Sequence, residues 1–370
     1  MSLVAAAVFG LRQGAEAGAP LALPGPSPRP RAISAGAAAK QNDSCEGCHS
    51  AIAKEWRGSL HQQAWHDPVF QKALAIEPEP FCRGCHAPEA DANSEPPKAA
   101  QDVGVGCVTC HLQGDTIVGS RSLAGTSAGH PVAGDARLAT PAACASCHEF
   151  DFPRVSGLPM QSTIAEHASS SFAKDSCQSC HMSVVDGAST DSDKAPGRKH
   201  RSHDFSVIGD KSMIQRAATA TAARRGGQKI EITISPLAAG HAFPTGDMFR
   251  RLEVRAEALD ASGAVISRAT PVRLARTFAD HIRADGTSVR VEVADTRVPP
   301  PGGGTRVVEL DFGTDVGARR VRWVLAYQRL DHAMAASFGV EQARDEIEVV
   351  TGALEPMAMP TPSRTNKEGR

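Results

Sequence analysis

Several features that would simplify a functional assignment are missing from the sequence. No cysteine follows Cys180 in a chain of 370 residues, tyrosine occurs once, and aromatic residues make up only 4%. The formal net charge is −1, which excludes the strongly basic surface typical of nucleic-acid or membrane-surface binding. The apolar run at residues 3–11 is shorter than the roughly 20 residues that a membrane-spanning helix needs. The length favours about two domains, and the cysteine distribution divides the chain.

Cysteine and histidine are abundant in the first half, and all ten cysteines fall in five copies of the motif C-x-x-C-H. Two thiols on one helical turn can add to the two vinyl groups of a porphyrin, and the adjoining histidine then points at the iron. Structural zinc needs no histidine at a fixed offset, and disulfides would not keep one. The motifs therefore predict five covalently attached haems c. The predicted attachment residues are Cys45, Cys48, Cys82, Cys85, Cys107, Cys110, Cys144, Cys147, Cys177 and Cys180, and the predicted proximal ligands are His49, His86, His111, His148 and His181.

Covalent haem attachment takes place outside the cytoplasm, so the motifs predict a periplasmic or extracellular protein. Residues 3–11, "LVAAAVFGL", followed by Ala15-Glu16-Ala17, fit a secretory signal, although no Lys or Arg precedes them. The alternative is an Ala-rich tail. Residues 20–30, "PLALPGPSPRP", predict an extended linker. We therefore assign residues 1–40 to a signal segment and linker.

The spacing of the motifs predicts that the haems themselves form the core of residues 41–210. Little apolar sequence separates successive motifs, so thioether bonds and iron ligation would supply the folding free energy. Haems packed this densely would lie in near contact and form a wire. Each ferric haem adds about −1, which makes the oxidised protein roughly −6 and the reduced protein roughly −11. A partner at an exposed haem edge would then present Lys or Arg.

Nine histidines remain to supply sixth ligands, and five six-coordinate haems would need five of them. In "EWRGSLHQQAWHDPVF" His61 is preferred, with His66 in reserve. In "RKHRSHDF" His203 is preferred to His200, which lies in a basic run. The predicted distal ligands are His61, His130, His167, His203 and His241.

Three further residues have weaker claims to iron. Met160 is a thioether candidate, and ligation by methionine would raise the potential of its haem. His281 and His332 are expected to be ordinary surface histidines. The sequence alone leaves these residues as alternative iron ligands.

The phrases "SLHQQAWHDPVF", "FCRGCHAPEA", "GVGCVTCH" and "DSCQSCHM" resemble the multihaem cytochrome c family, over about residues 44–205. Its members include the tetrahaem cytochromes that accept electrons from hydroxylamine oxidoreductase. The resemblance implies an electron carrier with stacked haem pairs, most of them bis-histidine, in which one haem can lack a sixth protein ligand. This chain departs from the family pattern in having five motifs and a long C-terminal extension.

The cysteine-free half changes to the two-residue period of β-strands. Segments such as "QKIEITIS", "RRLEVRAEAL" and "RVRWVLAYQRL" alternate apolar and polar residues between Gly, Pro and Asp turns. They predict an antiparallel β-sandwich of immunoglobulin-like type at residues 228–353. A helical connector is expected at 211–227, and a disordered tail at 354–370. The predicted fold class is α+β: a helix and loop cytochrome domain followed by a β-sandwich.

The loop "AAGHAFPTGD", residues 238–247, lies between the first two of these strands. Its H-x-F-P-T-G phrase is similar to one that recurs in multihaem cytochromes with a β-domain. We therefore expect His241 to cap a haem, and the alternative is a turn histidine that packs on Phe243 or bonds Asp247. The β-half shows no nucleophile elbow, metal-type cluster or phosphate loop.

The leading functional prediction is electron transfer between redox partners, such as other cytochromes or quinol-linked membrane complexes, with no bond chemistry of its own. One alternative is an oxidoreductase in which an open haem acts on a small nitrogen or sulfur species. Another is a subunit of an extracellular conduit or filament that docks through the β-domain. No nucleic-acid partner and no membrane span in the mature chain are expected.

Overall fold

A computed structural model describes residues 33–357 except 122–128, 153, 154, 156, 194, 206 and 342–344. The predicted signal run, the linker at 20–30 and residues 358–370 of the predicted tail lie outside these residues. Within the described part, every helix is too short or too polar to cross a bilayer.

Short helices make up most of the regular secondary structure in the first half, as expected where haems replace an apolar core. The longer ones begin at polar caps: Ser34 and Asp67 each accept a hydrogen bond from a backbone N–H of the first turn. Pro68 and Pro80 occupy first helical positions, where their missing N–H costs nothing. The helices are α1 (Ala35–Glu46), α2 (Ser50–Arg57), α3 (Pro68–Ile76), α4 (Pro80–His86), α5 (Lys98–Val103), α6 (Cys107–His111), α7 (Ala142–His148), α8 (Thr163–Ala168), α9 (Cys177–His181), α10 (Lys211–Gln215) and α11 (His332–Phe338), with a 3₁₀ turn at Ala136–Ala139.

In the part of the chain that the structure describes, seven short strands lie among these helices and ten strands follow α10. The first-half strands are β1 (Leu112–Gln113), β2 (Thr116–Gly119), β3 (Ala133–Gly134), β4 (Glu149–Asp151), β5 (Pro159–Ser162), β6 (Val184–Asp186) and β7 (Lys199–Arg201). The second-half strands are β8 (Ala218–Arg224), β9 (Lys229–Pro236), β10 (Arg251–Leu259), β11 (Val265–Arg268), β12 (Val272–Leu274), β13 (Arg276–Ile282), β14 (Ser288–Asp295), β15 (Arg306–Asp311), β16 (Arg320–Gln328) and β17 (Glu346–Leu354).

Two antiparallel sheets in the second half share one hydrophobic core. One sheet has the order β11-β10-β16-β17, with β12 also paired to β10, and the other has the order β15-β9-β8. Alternation along β9 buries Ile230, Ile232 and Ile234 completely, and they pack with Leu252 of β10 and Leu325 of β16. Burial of each of these side chains is worth about 1.5–3 kcal/mol. The chain is therefore a mixed α+β protein with antiparallel sheets.

The connector differs from its prediction. The sequence suggested helix from about residue 212 to 223, but helix covers only Lys211–Gln215, and Ala218–Arg224 is a strand. The alternating "ATATAAR" pairs along its whole length with β9, and its inward-facing residues join the core, as Ala218 does. Tertiary pairing overrides the high helix propensity of alanine here.

The second half packs directly against the first. Val69 of α3 is buried in a cluster with Leu330, Ala335 and Val340 from the segment around α11. Beside this cluster, Arg329 donates to the Asp67 carboxylate at 2.7 Å. The antiparallel hairpin β13–β14 continues the contact through Arg276, which donates to the backbone carbonyls of residues 159 and 160. The β-half is thus held on the first half at several separate points.

Candidate haem centres

The five motifs begin or end short helices. Cys107–His111 and Cys177–His181 are complete single-turn helices, and the motifs at residues 82–86 and 144–148 end α4 and α7. The first motif ends α1 and continues into a turn, where the N–H of His49 donates to the carbonyl of Cys45 at 2.9 Å. Each motif therefore has the helical turn that haem attachment requires.

Four motif histidines face a second imidazole at one common spacing. The ring centroids lie 6.2–6.4 Å apart. Two metal–nitrogen bonds of about 2 Å each, plus the radii of two rings, give about 6 Å between centroids. The gap between each pair therefore fits one iron. The pairs are His49 with His130, His111 with His203, His148 with His61, and His181 with His241.

Six of these histidines are oriented by a hydrogen bond at Nδ1, which leaves Nε2 for a metal, whereas Nδ1 of His181 is buried without a partner among the described residues. Such a bond sets the tautomer and the direction of the ring. Backbone carbonyls accept these six bonds: those of residues 189, 64 and 118 from His49, His86 and His111, and those of residues 131, 201 and 242 from His130, His203 and His241.

Burial keeps these imidazoles in the neutral form that ligates iron. Desolvation lowers the pKa of His61 to about 3 and the pKa values of His148, His181 and His203 to about 4. Burial also lowers the pKa of His241, opposed by a hydrogen bond to the Ala242 carbonyl. These five imidazoles are therefore neutral donors at physiological pH.

The backbone beneath His61 depends on a glycine. Gly104 has φ +57°, and a Cβ there would lie 2.6 Å from the His61 carbonyl oxygen and 2.5 Å from that of Gln62. The next residue, Val105, donates its N–H to the same His61 carbonyl. Only glycine permits this close approach, which couples the position of His61 to the start of the third motif.

The second motif is arranged differently. His86 has no imidazole opposite it among the described residues; Phe70 stacks on its ring, with centroids 3.5 Å apart and planes 2° from parallel. Burial lowers the pKa of His86, and the carboxylates of Asp67 and Asp247 oppose that shift. Among the described residues, none of the five predicted distal histidines therefore lies opposite His86.

His167 is the predicted distal residue that the structure places elsewhere. It is buried on α8 and packs beside Gly240, where a Cβ would lie 3.3 Å from its Cδ2 atom. None of the ring contacts among the described residues joins it to a motif histidine. Gly240, which His167 contacts, immediately precedes His241 in the chain. His241 occupies the position opposite His181.

The four histidines that were not preferred as distal ligands are engaged or exposed elsewhere. His66 bonds Asp102 at the surface, and both ring nitrogens of His200 are engaged, by the Gly187 carbonyl and by Glu55. His281 is an exposed residue of β13, and His332 is an exposed residue of α11. Met160 borders the cavity described next, and its carbonyl accepts from Arg276.

A continuous cavity of about 920 Å³ links the motifs. Attachment cysteines of the first four motifs border it, together with residues beside the fifth. Arginines also border it, and guanidinium groups are suited to carboxylates such as haem propionates. These arginines are Arg201, Arg250, Arg290 and Arg329. They belong to no sequence motif, so sequence reasoning missed them.

Contacts between thiols indicate which motifs are neighbours. Cys144 contacts the fifth motif, and Cys110 of the third motif acts electrostatically on it. The hydrogen-bonded thiol pairs are Cys45 with Cys107, Cys85 with Cys147, and Cys144 with Cys177. The first motif therefore borders the third, and the fourth motif borders the second, third and fifth.

The chain is similar to known proteins in part of its sequence and in its fold. Residues 44–112 match the family model described as cytochrome c554 and c-prime. The crystal structure of a penta-haem cytochrome c552 from Thermochromatium tepidum has a similar fold, with a TM-score of 0.64 and 21% sequence identity over 84% of this chain and 97% of that chain. No curated protein matches the sequence significantly. The findings support a multihaem c-type cytochrome, and with it electron transfer as the general function.

Proposed function

We propose that this protein is an exported electron carrier with five covalently attached haems, one at each C-x-x-C-H motif. The observation that carries the proposal is the set of four imidazole pairs, each with a motif histidine on one side and centroids 6.2–6.4 Å apart. When bound, the haem irons would supply the redox chemistry. The chain would supply spacing, axial ligands and burial. We assign the sixth ligands of the first, third, fourth and fifth haems to His130, His203, His61 and His241.

The contacts between thiols support a branched path rather than a single line. Neighbouring motifs run in the order first, third, fourth, fifth, and the second motif adjoins the fourth. Cys48 of the first motif and Cys180 of the fifth are the exposed attachment cysteines. We therefore assign the exchange of electrons with redox partners to the first and fifth haems.

A second function is favoured by one specific observation. His86 faces no imidazole within the described part of the chain, and charged side chains lie near it. The second haem would then keep an open position where a small nitrogen or sulfur species could bind and be oxidised or reduced. Cyanide or nitrite added to the ferric protein tests this: a changed high-spin EPR signal supports it, and an entirely low-spin, unresponsive protein overturns it.

The tertiary arrangement of the β-half is part of the same proposal. Two antiparallel sheets on one core support a β-sandwich, which we assign to the immunoglobulin-like type. Its loop at residues 238–247 would carry the sixth ligand of the fifth haem, so that the two halves share one redox centre.

The ligand assignment is tested by comparing two neighbouring histidines. We expect His241→Ala to convert one low-spin ferric haem to high-spin, because it removes the imidazole opposite His181. We expect His167→Ala, a change of the same chemistry at a buried neighbour, to leave the spin state unchanged. EPR spectra of both purified proteins, with haem counted by mass spectrometry, decide the matter. Conversion by His167→Ala alone would contradict the assignment.

A further inference from the structure

A buried ion pair joins the two halves beside the His241 loop. Glu166 of α8 and Arg297, which follows β14, approach to 2.7 Å, and their side chains are only 10% and 7% exposed. Removing two charges from water is costly, and such a pair persists only when further hydrogen bonds satisfy it. Its position between α8 and the β-half therefore calls for an explanation.

Arg297 is bound on three sides. Besides Glu166, its guanidinium donates to the Asp295 carboxylate and to the backbone carbonyl of Pro244 at 3.0 Å. Pro244 lies three residues after His241 in the same loop. The next residue along from Arg297, Val298, pairs by two backbone hydrogen bonds with Phe243. Arg297 thus holds the loop directly through a carbonyl and indirectly through its neighbour.

Glu166 is equally constrained from the other side. One carboxylate oxygen accepts from the Thr245 hydroxyl at 2.7 Å, and the other accepts from the Ser162 hydroxyl at 2.8 Å. The Thr163 and Thr245 hydroxyls are also hydrogen-bonded, at 2.9 Å. Glu166 therefore connects the cytochrome half to the residue that follows Pro244.

The start of the loop is fixed by packing. Gly240 lies against His167 and Phe172 of the cytochrome half, where a Cβ would be 3.3–3.4 Å from their atoms. Between this contact and the ion pair, the His241 ring lies 7° from parallel to the His181 ring. The other three imidazole pairs are tilted by 40–55°. The fifth pair therefore has a distinct orientation that the surrounding contacts maintain.

We propose that Glu166 and Arg297 are positioning residues that clamp the loop 241–247 and hold the His241 imidazole at the sixth position of the fifth haem. The inference rests on the proposed ligation by His241. Arg297 holds the loop through the Pro244 carbonyl, and Glu166 holds it through the Thr245 hydroxyl. The clamp thus couples ligation of the fifth iron to one of the contacts that hold the β-half on the first half.

The decisive variant is Arg297→Gln, examined in the full-length holoprotein. Nearly parallel imidazole planes give a rhombic low-spin ferric EPR signal, whereas tilted planes give one with a larger principal g value. We expect Arg297→Gln to broaden or shift the rhombic signal of the fifth haem, with partial conversion to high-spin, because the loop loses its bond at Pro244. Arg297→Lys should restore part of the signal.

A control variant is available elsewhere in the β-half. Arg255 is paired with Glu253 and Glu346 inside the β-half, so Arg255→Gln removes the same charge without touching the loop. We expect it to leave every EPR signal unchanged. If Arg297→Gln fails to fold, Thr245→Val removes one bond to Glu166 and should shift the same rhombic signal to a smaller extent.

The outcomes separate the clamp from the ligand assignment. If His241→Ala converts the fifth haem while Arg297→Gln and Thr245→Val leave its signal intact, the clamp is overturned and ligation stands. If His241→Ala changes nothing, ligation fails first and the clamp fails with it. A shift caused equally by Arg255→Gln would assign the effect to general destabilisation and overturn the positioning role.

Discussion

At the residue scale, histidines that look alike in the sequence are separated by their surroundings. His203 and His200 lie three residues apart, yet His203 faces His111. Both ring nitrogens of His200 are instead hydrogen-bonded, one to the Gly187 carbonyl and the other to Glu55. In the second such pair, His241 faces His181, whereas the His167 ring packs against Gly240. The packing of distant segments therefore decides which imidazole faces a motif histidine.

His200 leads to a prediction about pH. Burial lowers the pKa of His200, but the Gly187 carbonyl and Glu55 outweigh it, so the pKa lies above its usual value in the folded protein. Folding therefore favours the protonated form. The contribution to stability is complete below the unfolded pKa of about 6.5 and is lost as pH rises through the folded pKa.

Urea unfolding at about pH 6 and at higher pH measures this effect. We expect the free energy of unfolding of the wild-type holoprotein to fall more over that interval than that of the His200→Gln holoprotein. Glutamine keeps hydrogen-bonding capacity but cannot titrate. Equal losses in the two proteins would show that His200 makes no such contribution.

At the scale of elements, α3 connects haem binding to the docking of the β-half. Asp67 caps this helix by accepting a hydrogen bond from the Phe70 N–H. Its carboxylate also accepts a hydrogen bond from Arg329, the residue that follows β16. Phe70 in turn stacks on His86. One short helix thus contacts the second motif on one side and the segment leading to α11 on the other.

We predict that Arg329→Gln lowers the free energy of unfolding by about 3 kcal/mol, because it leaves the Asp67 carboxylate without its charge partner in a mostly buried site. The control is Arg268→Gln, which breaks a surface pair with Glu257 and should cost no more than about 1 kcal/mol. Urea titrations of both variants test the difference. A cost for Arg329→Gln as small as that of the control would refute the structural role of the pair.

At the scale of the whole molecule, the two halves differ in what holds them together. The large apolar core among the described residues lies in the β-half and includes Ile230, Leu252 and Trp323. A smaller cluster in the cytochrome half has three buried members: Trp65, Leu74 and Ala87. The first half therefore depends on its haems in a way that the second does not.

This contrast predicts how the chain behaves without cofactor. A haem-free full-length chain, made where haem is not attached, should keep its strands and lose ordered structure before about residue 210, because iron ligation and thioether bonds supply the missing core. Circular dichroism and limited proteolysis test this, with the holoprotein as reference. A protease-resistant first half in the haem-free chain would contradict it.

Sequence alone predicted the attachment chemistry, the five motif histidines and a boundary near residue 210, because each prediction depends on residues adjacent in the chain or on a local period. It also singled out His241 from a short phrase. Tertiary structure decided the pairing: His61 follows the first motif but faces His148 of the fourth, and within the described part of the chain His86 stacks on Phe70 rather than facing an imidazole. Ligation from the far side of a haem depends on how distant segments pack, and Glu166, Arg297 and Gly104 acquire their roles only through those long-range contacts.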